Sequence, residues 1–273
     1  MNVAIVAPGE MGSAIGRALA GQGVRIATSL SGRSEASAQR AKESGFTIFH
    51  EDGELVAQAD FVLSVVPPGA AIALAERLAP ALKKAARKPV YVECNAVAPR
   101  TVRRVAQIIG PSGCKFVDVA LFGGPTSGKP GVVMYASGTF ASELSRLPGV
   151  TVKVMSGPAG AASAFKLSFA GLNKGFTAVG AVMALAALRS GAQAQLLEQL
   201  ADSQPAILEY IRRFVPAMFP KAYRWEPEMR EIAAFLEDDE AAREMFAAMA
   251  RLYGRFAAGG EEIAALERFC RGR

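Results

Sequence analysis

The stretch that decides the fold is Val3-Ala4-Ile5-Val6-Ala7-Pro8-Gly9-Glu10-Met11-Gly12, near the N-terminus. Its four apolar residues are typical of a buried strand, and the Ala- and Leu-rich residues 13–20 that follow predict a helix. A strand that enters a helix through glycines lets the backbone approach a pyrophosphate, whose charge is stabilised by the N–H groups and the positive dipole end of the helix. Gly9 and Gly12 fill the second and third glycine places of this fingerprint, and Ala7 replaces the first. We therefore predict a dinucleotide site that is formed by Pro8, Gly9, Glu10, Met11 and Gly12.

The composition is that of a globular protein with room for one large or two modest domains. The chain has 273 residues, of which 51% are hydrophobic and 21% are charged. Lys and Arg are spread along the chain without an aromatic-rich basic stripe, so the net charge of +6 does not indicate nucleic acid, and a ligand with a phosphate or carboxylate explains it equally well. The three cysteines lack metal-ligand or disulfide spacing, and the N-terminus lacks the pattern of a secretory signal. We expect a cytoplasmic protein that holds no metal and whose partner is a small-molecule substrate.

Strand and helix patterns alternate through the first half of the chain. Residues 24–30, 61–66, 90–93 and 115–119 are mostly apolar runs, separated by helical patterns. Because the strands of a parallel sheet are buried on both faces, such runs indicate a doubly wound, mostly parallel sheet. The strand pattern ends near residue 157. We predict an α/β N-terminal Rossmann domain over residues 1–157 and an all-α C-terminal domain over residues 158–273.

One long helix is predicted at the start of the second domain. Residues 159–189 contain no proline, and a helix of about 30 residues would be ~45 Å long. Its apolar positions run nearly all the way round, which predicts burial by other helices, some of them from a second subunit. The apolar segment 175–188 is shorter than the ~20 residues of a membrane span, so we expect no membrane partner. A homodimer through the helical domain is expected, and the later helices should be broken at Pro205, Pro216, Pro220 and Pro227.

The residues after the second predicted strand bear on the choice of cofactor. They are Ser31-Gly32-Arg33-Ser34, without the carboxylate that usually binds the ribose 2′-hydroxyl of NAD. Arg33 flanked by Ser31 and Ser34 is suited to a 2′-phosphate, so we predict NADP rather than NAD. The alternative is that Arg33 is a solvated loop residue and Glu35 binds the ribose.

Two further loops at the carboxyl edge of the sheet are expected to contact the cofactor. Val66 and Pro67 end the fourth predicted strand, and Asn95 follows the fifth. Ligands of open α/β sheets bind at this edge, which makes Asn95 a candidate for contact with the nicotinamide end. Alternatively, Asn95 only shapes the turn before the helix that begins near Pro99.

A single lysine interrupts the apolar opening of the long helix. Lys166 lies about two turns into that helix, and its neighbours at helical spacing are the small residues Ala159, Ala162 and Ala170. A lysine in such surroundings loses hydration, which favours its neutral form and suits it to proton transfer. The alternative is a lysine whose ammonium extends to solvent along an apolar stem.

Several blocks of sequence resemble one known family. They are residues 8–12, residues 93–96 with Pro99, residues 118–124, and Gly157 and Gly160 with Lys166. They resemble the cofactor turn, the second cofactor-side loop, the substrate loop and the catalytic helix of the β-hydroxyacid dehydrogenase superfamily, which includes 6-phosphogluconate dehydrogenase. A further block, residues 220–229, looks like a helical C-terminal domain found in a phosphogluconate-dehydrogenase-like branch. The resemblance covers essentially the whole chain, and it implies that Lys166 is a general acid/base and that Phe122, Gly123 and Gly124 bind substrate.

The chain departs from this family on the substrate side. Phe122 stands where the family commonly has a serine, and Ala170 stands where it has an asparagine one turn after the lysine. Asn173, one turn further on, is the candidate to replace that amide in catalysis and substrate binding. The resemblance implies an NADP-dependent oxidoreductase that moves a hydride between the nicotinamide and a carbonyl or secondary alcohol. Two alternatives stay open: reduction of an imine on the same architecture, and a non-catalytic protein that only binds the dinucleotide.

Overall fold

Eight strands form a single sheet in the first of two units of the chain. The computed structural model describes residues 1–32, 34–124 and 129–272, and it divides into the units Met1–Lys166 and Leu167–Arg273. The strands are β1 (Asn2–Val6), β2 (Arg25–Ser29), β3 (Thr47–Phe49), β4 (Phe61–Ser64), β5 (Val90–Glu93), β6 (Phe116–Gly124), β7 (Lys129–Ser137) and β8 (Thr151–Val154).

The order of the strands is β3-β2-β1-β4-β5-β6-β7-β8. Their described pairings are parallel except for that of β6 with β7, which is antiparallel. The predicted α/β class with a doubly wound, mostly parallel sheet is therefore confirmed. The strand order reverses between β1 and β4, and ligands of such sheets bind in the crevice outside the carboxyl ends of the strands at this point.

In the described part of this unit, five α-helices follow strands, and a sixth α-helix starts at its end. They are α1 (Glu10–Ala20), α2 (Glu35–Glu43), α3 (Asp52–Gln58), α4 (Ala71–Lys84), α5 (Pro99–Ile109) and α6 (Ala161–Arg189). The sheet has an apolar cluster on each face. Phe61 and Leu63 of β4 point into one cluster and Val62 points into the other, and all three are fully buried. Burial on both faces is why β4 has an unbroken apolar sequence.

Strand β6 extends beyond its parallel neighbour. In the described residues, β5 pairs with β6 as far as Asp118, whereas β7 pairs with β6 from Asp118 to Gly124. The register shifts between Gly123 and Gly124. The part of β6 after Asp118 and its partner residues on β7 are called the projecting ribbon below.

The second unit is helical, as predicted for the C-terminal part of the chain. After α6 come α7 (Gln193–Ser203), α8 (Pro205–Met218), α9 (Ala222–Phe235), α10 (Glu240–Ala257) and α11 (Glu261–Cys270). Pro205 begins α8, but Pro216 and Pro227 lie inside α8 and α9, so the breaks predicted at those two prolines are wrong. A Cβ on Gly180 would lie 2.9 Å from Cγ1 of Ile211, which means that α6 and α8 pack too closely there for any larger residue.

Candidate functional site

The turn between β1 and α1 has the geometry of an anion site. Gly9 is the N-cap of α1. No side chain at this position accepts a hydrogen bond from the first N–H groups of the helix. A Cβ on Gly9 would meet nothing within 4 Å, whereas a Cβ on Gly12 would lie 2.3 Å from the carbonyl oxygen of Ala7. Gly12 is therefore required for the turn itself, and Gly9 leaves open space in front of the helix, where a phosphate could accept the N–H groups.

Two arginines outside the predicted set hold this turn and the loop that follows β2. Nε of Arg40 donates to the carbonyl of Pro8 at 3.1 Å, and its Nη2 lies 3.4 Å from Oγ of Ser37 on α2. Nη1 of Arg77 donates to the carbonyl of Ser31 at 3.0 Å, and Arg77 pairs with Asp52. Sequence reasoning missed both residues, because they lie inside helices whose packing against the loops is known only from the fold.

The predicted ribose loop is described only in part. Oγ of Ser34 accepts the backbone N–H of Ser37 at 3.4 Å and so caps α2. Ser31 is exposed and is held through its carbonyl by Arg77. Arg33, which carries the prediction of NADP, lies outside the described residues.

Asn95 joins the loops that follow β4 and β5. Its Oδ1 accepts the backbone N–H of Val66 at 2.6 Å, and its Nδ2 donates to Oγ of Ser64 at 2.7 Å. The side chain is 5% exposed. The structure thus brings Val66 and Asn95 together at the carboxyl edge of the sheet, next to Pro67, and the asparagine shapes both loops. Its contact with the nicotinamide stays a prediction.

A buried carboxylate anchors the first turn of α6. Asp118 is fully buried, and its Oδ2 accepts the backbone N–H groups of Gly160 at 2.9 Å and Ser163 at 3.1 Å. The hydroxyls of Ser163 and Ser137 also donate to it, at 2.7 and 3.0 Å, and Oγ of Ser137 accepts the N–H of Ala162 at 2.9 Å. A negative charge at a helix N-terminus is stabilised by the helix dipole. Asp118 therefore fixes the start of the helix that carries Lys166.

Lys166 lies against the projecting ribbon. Its Nζ donates to the carbonyl of Leu121 at 2.7 Å and lies 4.2 Å from the ring centroid of Phe122. Gly123, the next residue, has φ of 83°, and a Cβ there would lie 2.6 Å from the carbonyl oxygen of Gly131. The structure thus brings the predicted lysine against Phe122, the first residue of the predicted substrate loop, and Gly123 and Gly124 continue the same strand.

An aromatic cluster surrounds this contact. The ring centroid of Phe122 lies 5.3 Å from that of Tyr135 and 5.1 Å from that of Phe165, and the latter two are 4.9 Å apart. All three rings are half-buried. Tyr135 and Phe165 were not predicted, and the available signals were the position of Phe165 next to Lys166 and the strand alternation that turns Tyr135 to the same face as Phe122.

Asn173, the second predicted catalytic residue, belongs to the second unit. Its Nδ2 donates to the carbonyl of Phe169 at 2.9 Å, one turn earlier on α6. Its own carbonyl accepts the hydroxyl of Tyr210 at 2.6 Å.

The titratable groups at the end of β5 have raised pKa values. Burial, together with the nearby Asp118, raises the pKa of Glu93 to about 8. Burial also raises the pKa of the Tyr91 phenol and that of the Cys94 thiol, which makes Cys94 an inert residue. Within the ranges that the structure describes, no group of three or more His, Cys, Asp or Glu side chains could hold a metal ion.

The fold and the glycine turn define a class of protein, the dinucleotide-binding oxidoreductases built on a doubly wound sheet. The family described as the NAD binding domain of 6-phosphogluconate dehydrogenase matches residues 2–150, and a domain of unknown function, DUF1932, matches residues 187–256. The chain belongs to this family of NAD(P)-dependent dehydrogenases and reductases, and the resemblance stated from the sequence is confirmed.

Solved structures of similar fold cover nearly the whole chain. A conserved protein of unknown function, MTH1747, which is described as similar to 3-hydroxyacid dehydrogenases, is 28% identical, with 93% of this chain and 99% of that chain covered and a TM-score of 0.73. The 3-hydroxyisobutyrate dehydrogenase of Mycobacterium tuberculosis, solved with L-serine, is 19% identical, with 97% of each chain covered and a TM-score of 0.72. The imine reductase of Myxococcus stipitatus, solved with NADP+, is 16% identical, with 98% and 99% covered and a TM-score of 0.54. At these last two identities the likeness is one of fold.

Proposed function

We propose that the protein is an NADP-dependent oxidoreductase that moves a hydride between the nicotinamide and a carbonyl or secondary alcohol of a small substrate. The observation that carries this proposal is the lysine at the substrate loop, where Nζ of Lys166 donates to the carbonyl of Leu121 at 2.7 Å. Lys166 is the general acid/base, and Asn173 is the second candidate for contact with the reacting group.

The chain's own part in this reaction is to position groups and to move a proton. The bound nicotinamide cofactor would supply the hydride. Its pyrophosphate would lie at the N-terminus of α1, where Gly9 leaves open space. The bond from Lys166 to Leu121 fixes the direction of the lysine stem, and in the direction of reduction the ammonium gives a proton to the substrate oxygen.

The side chains near Lys166 favour an apolar substrate. Phe122, Tyr135 and Phe165 form a half-buried aromatic cluster with ring centroids 4.9 to 5.3 Å apart. Such rings pack against flat apolar groups and contribute little to binding a carboxylate. This observation also supports a second candidate function, the reduction of an imine, because a pocket lined by such rings suits a substrate without a carboxylate.

A substrate panel tests the proposal. The full chain is mixed with NADPH and with aryl ketones, cyclic imines or short hydroxy-acid precursors, and the loss of NADPH absorbance is followed. Turnover of the ketones supports the leading proposal, and turnover of imines alone supports the second. Binding of NADPH without any turnover would favour a non-catalytic dinucleotide-binding protein.

The choice of NADP gives a testable prediction at Arg33. We expect Arg33→Ala to weaken NADPH far more than NADH, because a guanidinium contact to the 2′-phosphate is worth about 1.5–3 kcal/mol, or roughly tenfold to over a hundredfold in affinity. Titration calorimetry with both cofactors measures this difference. Arg104→Ala, on the exposed face of α5, is the matched control. Equal losses for the two cofactors would refute the assignment and favour Glu35 as the ribose ligand.

We further propose that a second copy of the chain covers α6. Five apolar residues on one side of this helix are exposed at 50% to 62%: Phe169, Leu172, Phe176, Val179 and Met183. Their spacing of three and four residues forms one stripe, and a groove of about 380 Å³ and another of about 610 Å³ flank it. The same surface has both an apolar ridge and grooves beside it. This suits a two-fold interface in which the ridge of each copy packs into a groove of the other copy.

The expected result is a dimer at micromolar concentration in analytical ultracentrifugation. Replacing Leu172 and Phe176 by Glu should give monomers, because the charges would be buried in the interface, whereas Tyr223→Glu on α9 should leave the dimer intact. Helix α6 is also long and apolar enough to cross a membrane by length and composition, a test that core helices of soluble proteins pass as well. A monomeric parent chain, or one that partitions into lipid vesicles, would overturn the dimer.

A further inference from the structure

Four polar residues form one row across the sheet. Ser64 of β4 pairs in register with Glu93 of β5, Glu93 pairs with Asp118 of β6, and Asp118 pairs with Ser137 of β7. All four side chains are fully buried. Burying a polar group costs free energy unless the group is hydrogen-bonded. A row of four buried polar side chains on four strands is therefore expected to have a structural or functional role.

Each end of the row holds a part of the candidate site. At one end, Oγ of Ser64 accepts Nδ2 of Asn95, whose Oδ1 accepts the N–H of Val66. At the other end, Asp118 and Ser137 accept the first N–H groups of α6. Glu93 lies between them, and its Oε1 accepts the backbone N–H of Asn95 at 3.1 Å.

The two carboxyl groups of the row have different surroundings. Asp118 accepts four hydrogen bonds and faces a helix N-terminus. Glu93 accepts the Asn95 N–H, while its Oε2 has no hydrogen-bond partner among the residues that the structure describes. Two neighbouring buried carboxylates repel each other, so one of the pair is favoured in its neutral form.

We propose that Glu93 is a positioning residue that works as a neutral acid: it holds the Asn95 loop at the cofactor edge, while Asp118 next to it anchors α6 through its hydrogen bonds. The effect on the cofactor rests on the proposed function. Loss of the Glu93 proton would put two negative charges side by side within the row and disturb the loop that Asn95 and Val66 form.

The groups that face Glu93 cannot neutralise a second charge. From β6 it faces Asp118, and from its own strand and the next residue it faces Tyr91 and Cys94. From β4 it faces Ser64, and from the loop that follows its own strand it faces Asn95, neither of which titrates. None of these groups is a cation. Burial and Asp118 raise the pKa of Glu93 from 4.5 to about 8, so the neutral form prevails through neutral pH.

The sign of the pH dependence follows from this raised pKa. Between pH 4.5 and about 8 the folded chain holds a proton on Glu93 that the unfolded chain has lost. The stability that Glu93 contributes as a neutral acid is fully present below its unfolded pKa, and it is lost as the pH rises through its folded pKa. Glu93→Gln removes this dependence while keeping an uncharged side chain of the same shape.

The experiment compares the parent chain with Glu93→Gln and with the control Glu54→Gln, an exposed residue of α3. The thermal midpoint of the apo protein and the Kd for NADPH are measured from about pH 6 to about pH 9.5, a range that spans the titration. In the parent chain and the control we expect the midpoint to fall as the pH rises from about 6 to about 8 and then to level off, whereas Kd should rise above about pH 8 by up to ~tenfold per pH unit. In Glu93→Gln neither the thermal midpoint nor the Kd for NADPH should show this pH dependence.

A spectroscopic measurement tests Glu93 without any cofactor. The parent chain should have an infrared carbonyl band of a protonated carboxylic acid at neutral pH that disappears above about pH 8 and is absent in Glu93→Gln. The same pH dependence in Glu93→Gln as in the parent, or no acid band at neutral pH, would overturn the proposal. If NADPH binds the parent at no pH, the proposed function fails, while the midpoint and the infrared band still decide the role of Glu93.

Discussion

Replacing Lys166 by methionine should reduce kcat by ~10²–10⁴, the usual contribution of general acid–base catalysis. Methionine keeps the apolar stem that packs beside Phe122 but removes the ammonium that donates to Leu121. The fold and the affinity for NADPH should therefore survive. The measurement is steady-state turnover of whichever substrate the panel identifies, together with NADPH titration and circular dichroism.

Two further variants complete this test. Lys166→Arg should not restore activity, because a guanidinium stays protonated and cannot exchange a proton with the substrate. Lys83→Met makes the same change at an exposed position of α4 and should leave kcat unchanged. If Lys166→Met turned over the substrate at the parent rate, the role of the lysine would be structural. That result would favour the imine-reducing or the non-catalytic alternative.

Replacing Asp118 by alanine should lower the free energy of unfolding by about 3–5 kcal/mol, because each buried donor left without a partner costs about 1–3 kcal/mol. The N–H groups of Gly160 and Ser163 are fixed by the start of α6 and cannot turn to other acceptors. Chemical denaturation measures the loss. Since the first turn of α6 positions Lys166, kcat should fall as well.

The matched control is Asp202→Ala, an exposed residue of α7, which should change the stability by less than about 0.5 kcal/mol. Asp118→Asn keeps one acceptor oxygen, so its loss should lie between those of the control and of Asp118→Ala. A free energy of unfolding for Asp118→Ala within about 0.5 kcal/mol of the parent would mean that the α6 anchor does not contribute to stability.

The sequence was most informative where local pattern and local structure coincide. Gly9 and Gly12 follow β1 at the fingerprint spacing, and Gly12 is a position where a Cβ would lie 2.3 Å from a backbone oxygen. The apolar run of β4 predicted a strand buried on both faces, and it is one. These features depend on residues close together in the chain, so that the pattern alone identifies them.

The features that were missed depend on residues far apart in the chain. The row of Ser64, Glu93, Asp118 and Ser137 exists only through the register of four strands, and no spacing in the sequence indicates it. Arg40 and Arg77 act on turns that precede them by more than 30 residues. Pro216 and Pro227 were expected to end helices, but each lies inside one, because tertiary packing outweighs the local penalty of a proline.

The projecting ribbon has a consequence for how this protein could change in evolution. The cofactor turn and the Asn95 loop are built into strands that the whole sheet needs, whereas Phe122 and Gly123 lie on the part of β6 beyond its pairing with β5. Substitutions on the ribbon alter the surroundings of Lys166 while the parallel core keeps its register. If the ribbon binds the substrate as we propose, a lineage with this architecture can exchange one substrate for another through a few ribbon residues and inherit its cofactor site unchanged.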